Sequence, residues 1–243
     1  MNICIGMSGY SYKVWKPNFY PADLKSDQML RFYSERFGAV EINNTFYRMP
    51  TEKVLMQWAD EVPPGFVFGL KAPRRITHLS RLKNPAENLE YYMRTASCLG
   101  ERLGPSLFQL PPNFKKDLPL LQEFLGQIPR RWVTAFEFRH PSWFEEDVYQ
   151  ALREHDAALC VVDDDEGGTP LVSTAGWGYL RLRKTDYSTA ELDGWAQRIR
   201  EQPWERVFAF FKHEEDGGKG PLMALDMKKV LGQDVFVTNI TKE

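Results

Sequence analysis

The segment Val133-Thr134-Ala135-Phe136-Glu137-Phe138-Arg139 decides the fold. Phe136 and Phe138 share one phase of a two-residue period; Glu137 and Arg139 share the other. That alternation marks a strand with one greasy face and one ionic face. Similar β-rich runs recur at 2–6, 39–43, 66–71, 106–110, 158–163, 178–183 and 207–212, which with 133–139 makes eight strands. Segments of helical spacing fit near 26–37, 51–61, 118–127, 144–154, 188–201 and 221–231. Another helix is expected from Asn84, with Asn84 as N-cap, Pro85 in the first helical position and Glu87 three residues after the cap. Leu89, Tyr92, Met93 and Ala96 give it an apolar face, and Gly100 can end it. The sixth connection, 164–176, is rich in Gly, Thr and Asp and reads as a loop or a single turn.

Strand and helix alternating in this way indicate a parallel sheet. The 243 residues match a closed barrel of this kind, for which about 250 is typical. The expected class is α/β, a TIM-type (β/α)8 barrel of parallel strands with the sixth helix short or missing. No G-x-G-x-x-G follows the first strand, which argues against an open dinucleotide-binding sheet. Without a linker or composition break, 1–243 reads as one domain with its core at about 2–232 and a short C-terminal tail, 233–243.

Composition sets outer bounds on function. Charged residues make up 26%, aromatics 14%, and the formal net charge is −2, so binding to a nucleic-acid backbone would need a local basic patch. No apolar run approaches a membrane span. The opening Met1-Asn2-Ile3-Cys4-Ile5-Gly6 is too short for a signal peptide and lacks its basic flank. Cys4, Cys98 and Cys160 are far apart, which fits a reducing compartment; a cytoplasmic location is expected.

The ionic phase carries the functional expectation. Glu41 and Asn43 oppose Val40 and Ile42; Arg181 and Arg183 oppose Leu180 and Leu182. Lys71 ends the third strand, and Gln109 sits between Phe108 and Leu110. The apolar phase must pack under helices, so the ionic phase points into the barrel, near the C-terminal strand ends where barrel enzymes build their sites. Glu41, Asn43, Lys71, Gln109, Glu137, Arg139, Asp163, Arg181 and Lys212 are the expected lining, with Ser8, Tyr10, Tyr47 and His140 added by the following loops. A salt-bridge layer that merely plugs the barrel is the bland alternative.

Glu41 and Glu137 are a candidate acid/base pair, with Asp163 orienting a partner. Ser8, Tyr10, Asn43, Tyr47, Lys71, Gln109, Arg139, His140, Arg181 and Lys212 are candidate substrate contacts. A metal would have to draw on Glu137, His140, Asp163 and His213, but no tight ligand spacing occurs, so no metal ligand is assigned and a divalent metal stays an open alternative. The loop His213 to Pro221 contains Gly217-Gly218-Lys219-Gly220 ahead of a helix, a turn that can hold an anion. There is no organic-cofactor motif and no G-x-S-x-G elbow. The third loop is basic (Arg74, Arg75, Arg81, Lys83) and the first is aromatic (Tyr10, Tyr12, Trp15, Phe19, Tyr20), a pairing that suits a phosphorylated metabolite or a nucleobase.

Met7-Ser8-Gly9-Tyr10-Ser11-Tyr12 with Trp15 and Phe19-Tyr20-Pro21, and Val40-Glu41-Ile42-Asn43-Asn44-Thr45-Phe46-Tyr47, carry a family resemblance. So do Gln109-Leu110-Pro111-Pro112-Asn113-Phe114 and Phe136-Glu137-Phe138-Arg139-His140 with Ser142-Trp143. Together they resemble the YecE-like family, domain of unknown function 72, from about residue 3 to 232. The resemblance implies a TIM-type barrel and brings no settled activity. Its fold similarity to metal-dependent barrel endonucleases has prompted a DNA-binding proposal. This chain departs from the family at Arg181-Leu182-Arg183-Lys184, where many members are similar to R-L-H-G, and at Phe211-Lys212-His213-Glu214, where many have an Asn-rich run.

The expected function is an enzyme that binds a small anionic or phosphate-bearing substrate at the barrel mouth and works by carboxylate acid/base chemistry, as a hydrolase, lyase or isomerase. Nucleic-acid (DNA) binding or processing and a non-catalytic ligand-binding barrel are the alternatives. No membrane partner is expected, and the oligomeric state is left open.

Overall fold

The computed structural model describes residues 1–212 and 217–233. His213 to Asp216 and the tail from 234 onward, on which part of the Gly-rich-loop, metal and tail expectations fell, lie outside the described residues.

The strands are β1 (Asn2–Ser8), β2 (Ala39–Ile42), β3 (Val67–Lys71), β4 (Leu103–Gln109), β5 (Thr134–Glu137) and β6 (Ala158–Asp164). They continue with a two-residue stub, β7 (Gly167–Gly168), then β8 (Trp177–Leu182) and β9 (Arg206–Phe211). β1 through β6, β8 and β9 pair in parallel, with β1 against β9 and β5 against β6, so the sheet closes on itself. The stub β7 folds back antiparallel on β6. The barrel is therefore a TIM-type (β/α)8 fold, and the place of the sixth helix is taken by the β7 hairpin and irregular chain.

The helices are α1 (Met29–Ser34), α2 (Glu52–Glu61), α3 (Ala86–Ala96), α4 (Leu118–Gly126), α5 (Glu146–Arg153), α6 (Thr189–Arg200) and α7 (Lys219–Val230). Local chemistry fixes several starts. Thr51 accepts from the Val54 amide, Asp117 from Leu120, and Ser188 with Glu191 forms a reciprocal capping box. Asn84 does not cap α3. It takes a left-handed conformation, φ 45°, and Pro85 precedes the first turn without a side-chain cap. Asn tolerates that region better than most residues, so the same side chain that signals a cap also suits a turn.

The strand alternation sorts the core into two parts. Val40, Ile42, Phe68, Leu70, Phe108, Phe136, Leu180 and Leu182 face the helices and join one continuous cluster with them. Leu107, Ala135, Cys160, Val162, Trp177, Tyr179, Phe208 and Phe210 form a second cluster inside the barrel. Gly69 belongs to the inward phase: a Cβ there would stand 3.4 Å from the Phe210 ring, so its absence leaves room for that ring across the barrel. This apolar interior is the floor on which the polar strand ends stand.

Candidate functional site

Ladder register assembles the site. Ser8 lies opposite Glu41 across β1 and β2, and Gln109 opposite Glu137 across β4 and β5. Glu41 and Glu137 are fully buried, and Arg181 from β8 lies between them, equally buried. Its two terminal nitrogens donate one to each carboxylate, Nη2 to Glu41 Oε1 and Nη1 to Glu137 Oε2, both at 2.7 Å. Ser8 Oγ (2.8 Å) and Asn43 Nδ2 (3.2 Å) also donate to Glu41 Oε1, and the Tyr179 hydroxyl donates to Oε2 at 2.7 Å. Gln109 Nε2 (2.8 Å) and Arg139 Nε (2.9 Å) donate to Glu137 Oε1.

This saturation sets the charge states. Burial alone would push the Glu137 carboxyl up, but Arg181 and Arg139, with the Gln109 hydrogen bond, hold it down at about 2. Burial acts on Glu41 in the same sense and is likewise outweighed, by Arg181 and the Tyr179 and Ser8 hydroxyls, so its pKa falls below the usual carboxylate range. Both are ionised at neutral pH. The Tyr179 hydroxyl goes the other way, raised by burial and by the Glu41 charge.

Above this cluster the barrel opens into a cleft of about 630 Å³. Glu137 forms part of its base, Arg139, Arg183 and Lys212 supply cations, and the turn from Asp164 to Thr169 with Phe138 and Phe144 walls one side. The Arg139 side chain is 39% exposed and reaches from the buried cluster into the opening. Lys71 stands at the edge of the cluster. Burial, then the nearby Arg181, lowers its ammonium to about 8 against the pull of Glu137 and Glu41. His78 is lowered to about 4 by burial and then by Lys71 and Arg139, so its imidazole is neutral at pH 7.

Of the expected site residues, Ser8, Glu41, Asn43, Gln109, Glu137, Arg139 and Arg181 meet in one hydrogen-bonded cluster, and Lys71 and Lys212 border it. Asp163 is elsewhere, a correction to the expected lining: its carboxylate accepts from Trp195 Nε1 (2.9 Å) and the Tyr187 hydroxyl (3.1 Å), on the helix side of β6. Cys160 and Val162 are the inward residues of that strand, so Asp164 takes the inward phase. Tyr10 is also away from the mouth, packed against Tyr33 of α1 and Trp58 of α2. His140 turns back on its own loop, its Nδ1 accepting from the Ser142 amide. Tyr47 stands on the surface, 73% exposed.

Sequence reasoning missed Tyr179; it placed Asp164 among the loop residues of the mouth and Arg183 on the ionic phase without singling out either as a contact. Tyr179 and Arg183 flank Arg181 at two-residue spacing, which is the signal that could have found them. Among the described residues, no three His, Cys, Asp or Glu side chains converge as a metal site would require, and no helix is long and apolar enough to cross a membrane.

A closed parallel barrel with a polar, cation-bordered C-terminal mouth places the chain among TIM-type barrel proteins. Comparison with known proteins narrows this. The family model described as "Protein of unknown function DUF72" matches residues 4–242, and the chain belongs to that family. It is 32% identical over 140 residues to the UPF0759 protein YecE of Escherichia coli K12, a match covering 55% of this chain and 52% of YecE, so it spans about half of that relative's length. The UPF0759 protein YunF of Bacillus subtilis is 27% identical over 276 residues, covering 93% of this chain and 95% of the relative. The crystal structure of a DUF72 family protein from Thermotoga maritima superposes with a TM-score of 0.85 at 30% identity, covering 96% of this chain and 100% of that one. A DUF72 family protein from Enterococcus faecalis shares the fold at a TM-score of 0.80 and 19% identity, with 96% of each chain covered.

Proposed function

We propose that the barrel mouth binds a small anionic or phosphate-bearing substrate and that the protein is an enzyme acting on it. The observation that carries this reading is the arrangement of charge. Glu41 and Glu137 are consumed by Arg181, while Arg139, Arg183 and Lys212 border the open cleft above them. The carboxylates of Asp164, Asp165 and Glu166 line the wall on the β6 side, so the anion is assigned to the part of the cleft next to Arg139 and Arg183, whose guanidinium forks suit carboxylate or phosphate oxygens. Glu41 and Glu137 then act as the scaffold that orients Arg181 and Arg139. With both carboxyls held ionised, neither serves as a general acid at neutral pH.

Titration calorimetry with inorganic phosphate and glycerol phosphate tests the reading. Saturable binding is expected, weakened at least about tenfold by Arg139→Ala or Arg183→Ala, the scale of one charge-assisted hydrogen bond. Absence of binding at low ionic strength, or binding unchanged in both variants, contradicts it.

One observation favours nucleic acid as a second reading. The exposed Tyr47 ring packs edge-on against Phe46, which in turn meets His78 of the basic third loop. An exposed ring on an aromatic pair that also carries the Lys71 ammonium can stack an unpaired base. Affinity for single-stranded DNA that falls steeply with salt and is lost in Tyr47→Ala would support this reading. Equal affinity in Tyr47→Ala would reject it.

A further inference from the structure

Among the described residues, Lys71 is a cation of this mouth whose ammonium has no carboxylate partner. It ends β3 on the inward phase, yet Glu41 and Glu137 are both spent on other donors. Among the described residues, the Lys71 ammonium makes no ion pair or hydrogen bond; its one close partner is the Phe46 ring, whose centroid lies 4.2 Å from Nζ. The neutral His78 ring stands edge-on to the same Phe46 at 4.8 Å. Arg181 and Arg139 both act on Lys71 electrostatically, and Arg139 also lines the anion cleft. Burial and the nearby Arg181 loosen this amine's hold on its proton and outweigh the Phe46 face and the two glutamates, which favour the ammonium. Those two conditions, desolvation and a neighbouring cation, are the ones that turn a lysine into a nucleophile toward carbonyl carbon.

We propose that Lys71 forms an imine with a small carbonyl substrate whose carboxylate or phosphate is held by Arg139 and Arg183. This rests on the anion-binding reading above and names its substrate class: an anionic aldehyde or ketone. The ammonium first gives its proton to water. The Nζ lone pair then adds to the carbonyl carbon, and the C=O π electrons move to oxygen, which takes a proton. A second proton converts that hydroxyl to water, which leaves as nitrogen forms the C=N bond. Of the two protons that oxygen takes up, one comes from nitrogen and one is the proton first released, so the sum is ammonium plus carbonyl giving protonated imine and water, with no net proton released and no oxidant or reductant consumed. The iminium cation replaces the ammonium over the Phe46 ring and keeps its attraction to that face. Lys71 carries its amine at a pKa of about 8, so a usable fraction is free base near neutral pH.

Borohydride trapping tests the step on the full-length chain. The protein is incubated with pyruvate in one arm and dihydroxyacetone phosphate in the other, reduced with sodium borohydride, digested and mapped by mass spectrometry. The expected product in at least one arm is one reduced adduct per chain, on the peptide carrying Lys71 and absent from Lys71→Arg. Its rate should rise with pH through about 8. At pH 7 the exposed Lys53 should label at least about tenfold more slowly, since each unit of depressed pKa is worth a factor of ten in free base. The arm that labels tells carboxylate from phosphate as the anchoring group. Phosphate calorimetry on the same preparation separates the two claims. Phosphate binding without labelling of Lys71 above Lys53 overturns the imine and leaves the anion reading standing. Neither binding nor labelling overturns both.

Discussion

The lower and upper halves of the barrel interior are built by the same strands in the same alternation, yet one is apolar and the other ionic. Trp177, Phe208 and Phe210 fill the lower half with Leu107, Ala135 and Cys160. Four residues beyond Trp177 on β8 and two beyond Phe210, just past β9, the inward positions become Arg181 and Lys212, and along β5 Ala135 gives way to Glu137. Apolar residues of matching volume would have closed the upper half at lower desolvation cost. A buried Glu–Arg–Glu arrangement is thus weak as a stabilising device and strong as a positioning one. The difference assigns stability to the floor and the orientation of Arg181 and Arg139 to the layer above.

The largest effect should come from removing the shared cation. Arg181→Met leaves Glu41 and Glu137 buried without their common partner and should cost about 4 kcal/mol in urea denaturation. The triple replacement Glu41→Leu, Glu137→Leu, Arg181→Met should cost less than Arg181→Met alone, because no uncompensated charge is left behind. A triple variant at least as unstable as the single one would show that the upper half also carries the fold. In the lower half, Leu107→Ala should cost about 3 kcal/mol through its cavity and leave phosphate affinity at the mouth unchanged.

Acid sharpens the contrast further. Glu137 lies at about 2 in the folded chain against 4.5 ordinarily, so its contribution is complete above pH 4.5 and fades as pH falls toward 2. Wild-type stability should therefore drop across that window, and the triple variant should show less of the drop. The smallest effect belongs to Lys71, lowered to about 8 from 10.5. Between those values the unfolded chain binds more protons at this position, so the Lys71 contribution should grow with pH, read as the stability of wild type minus that of Lys71→Met, since buried Tyr and Cys residues act in the opposite sense in both proteins.

How much of this was legible in the sequence follows from which strands are two-faced. In β2, β5 and β8 the ionic residues alternate with Ile42, Phe136 and Leu180, so phase and direction could be read directly. In β6 the run Ala158-Leu159-Cys160-Val161-Val162 is apolar on both faces, and no alternation says which phase the following aspartate inherits. Register with β8 decides it, and turns Asp163 toward Trp195. Tyr179 was hidden for a related reason: an aromatic in an apolar strand reads as core, and its hydroxyl matters only because closure of the barrel brings it to Glu41. Tyr10 follows Gly9, whose φ of 98° turns the chain out of β1 and carries the ring toward α2.

Under the proposed function, Arg181 and its neighbours keep both inward glutamates ionised, as scaffold rather than acid/base machinery. Carbon-13 NMR of the side-chain carboxyls, with Glu41 and Glu137 assigned through their Gln variants, measures this most directly. Both resonances are expected to titrate below the ordinary glutamate value of 4.5, that of Glu137 near 2. A carboxyl at either position that takes up its proton near neutral pH would contradict the account.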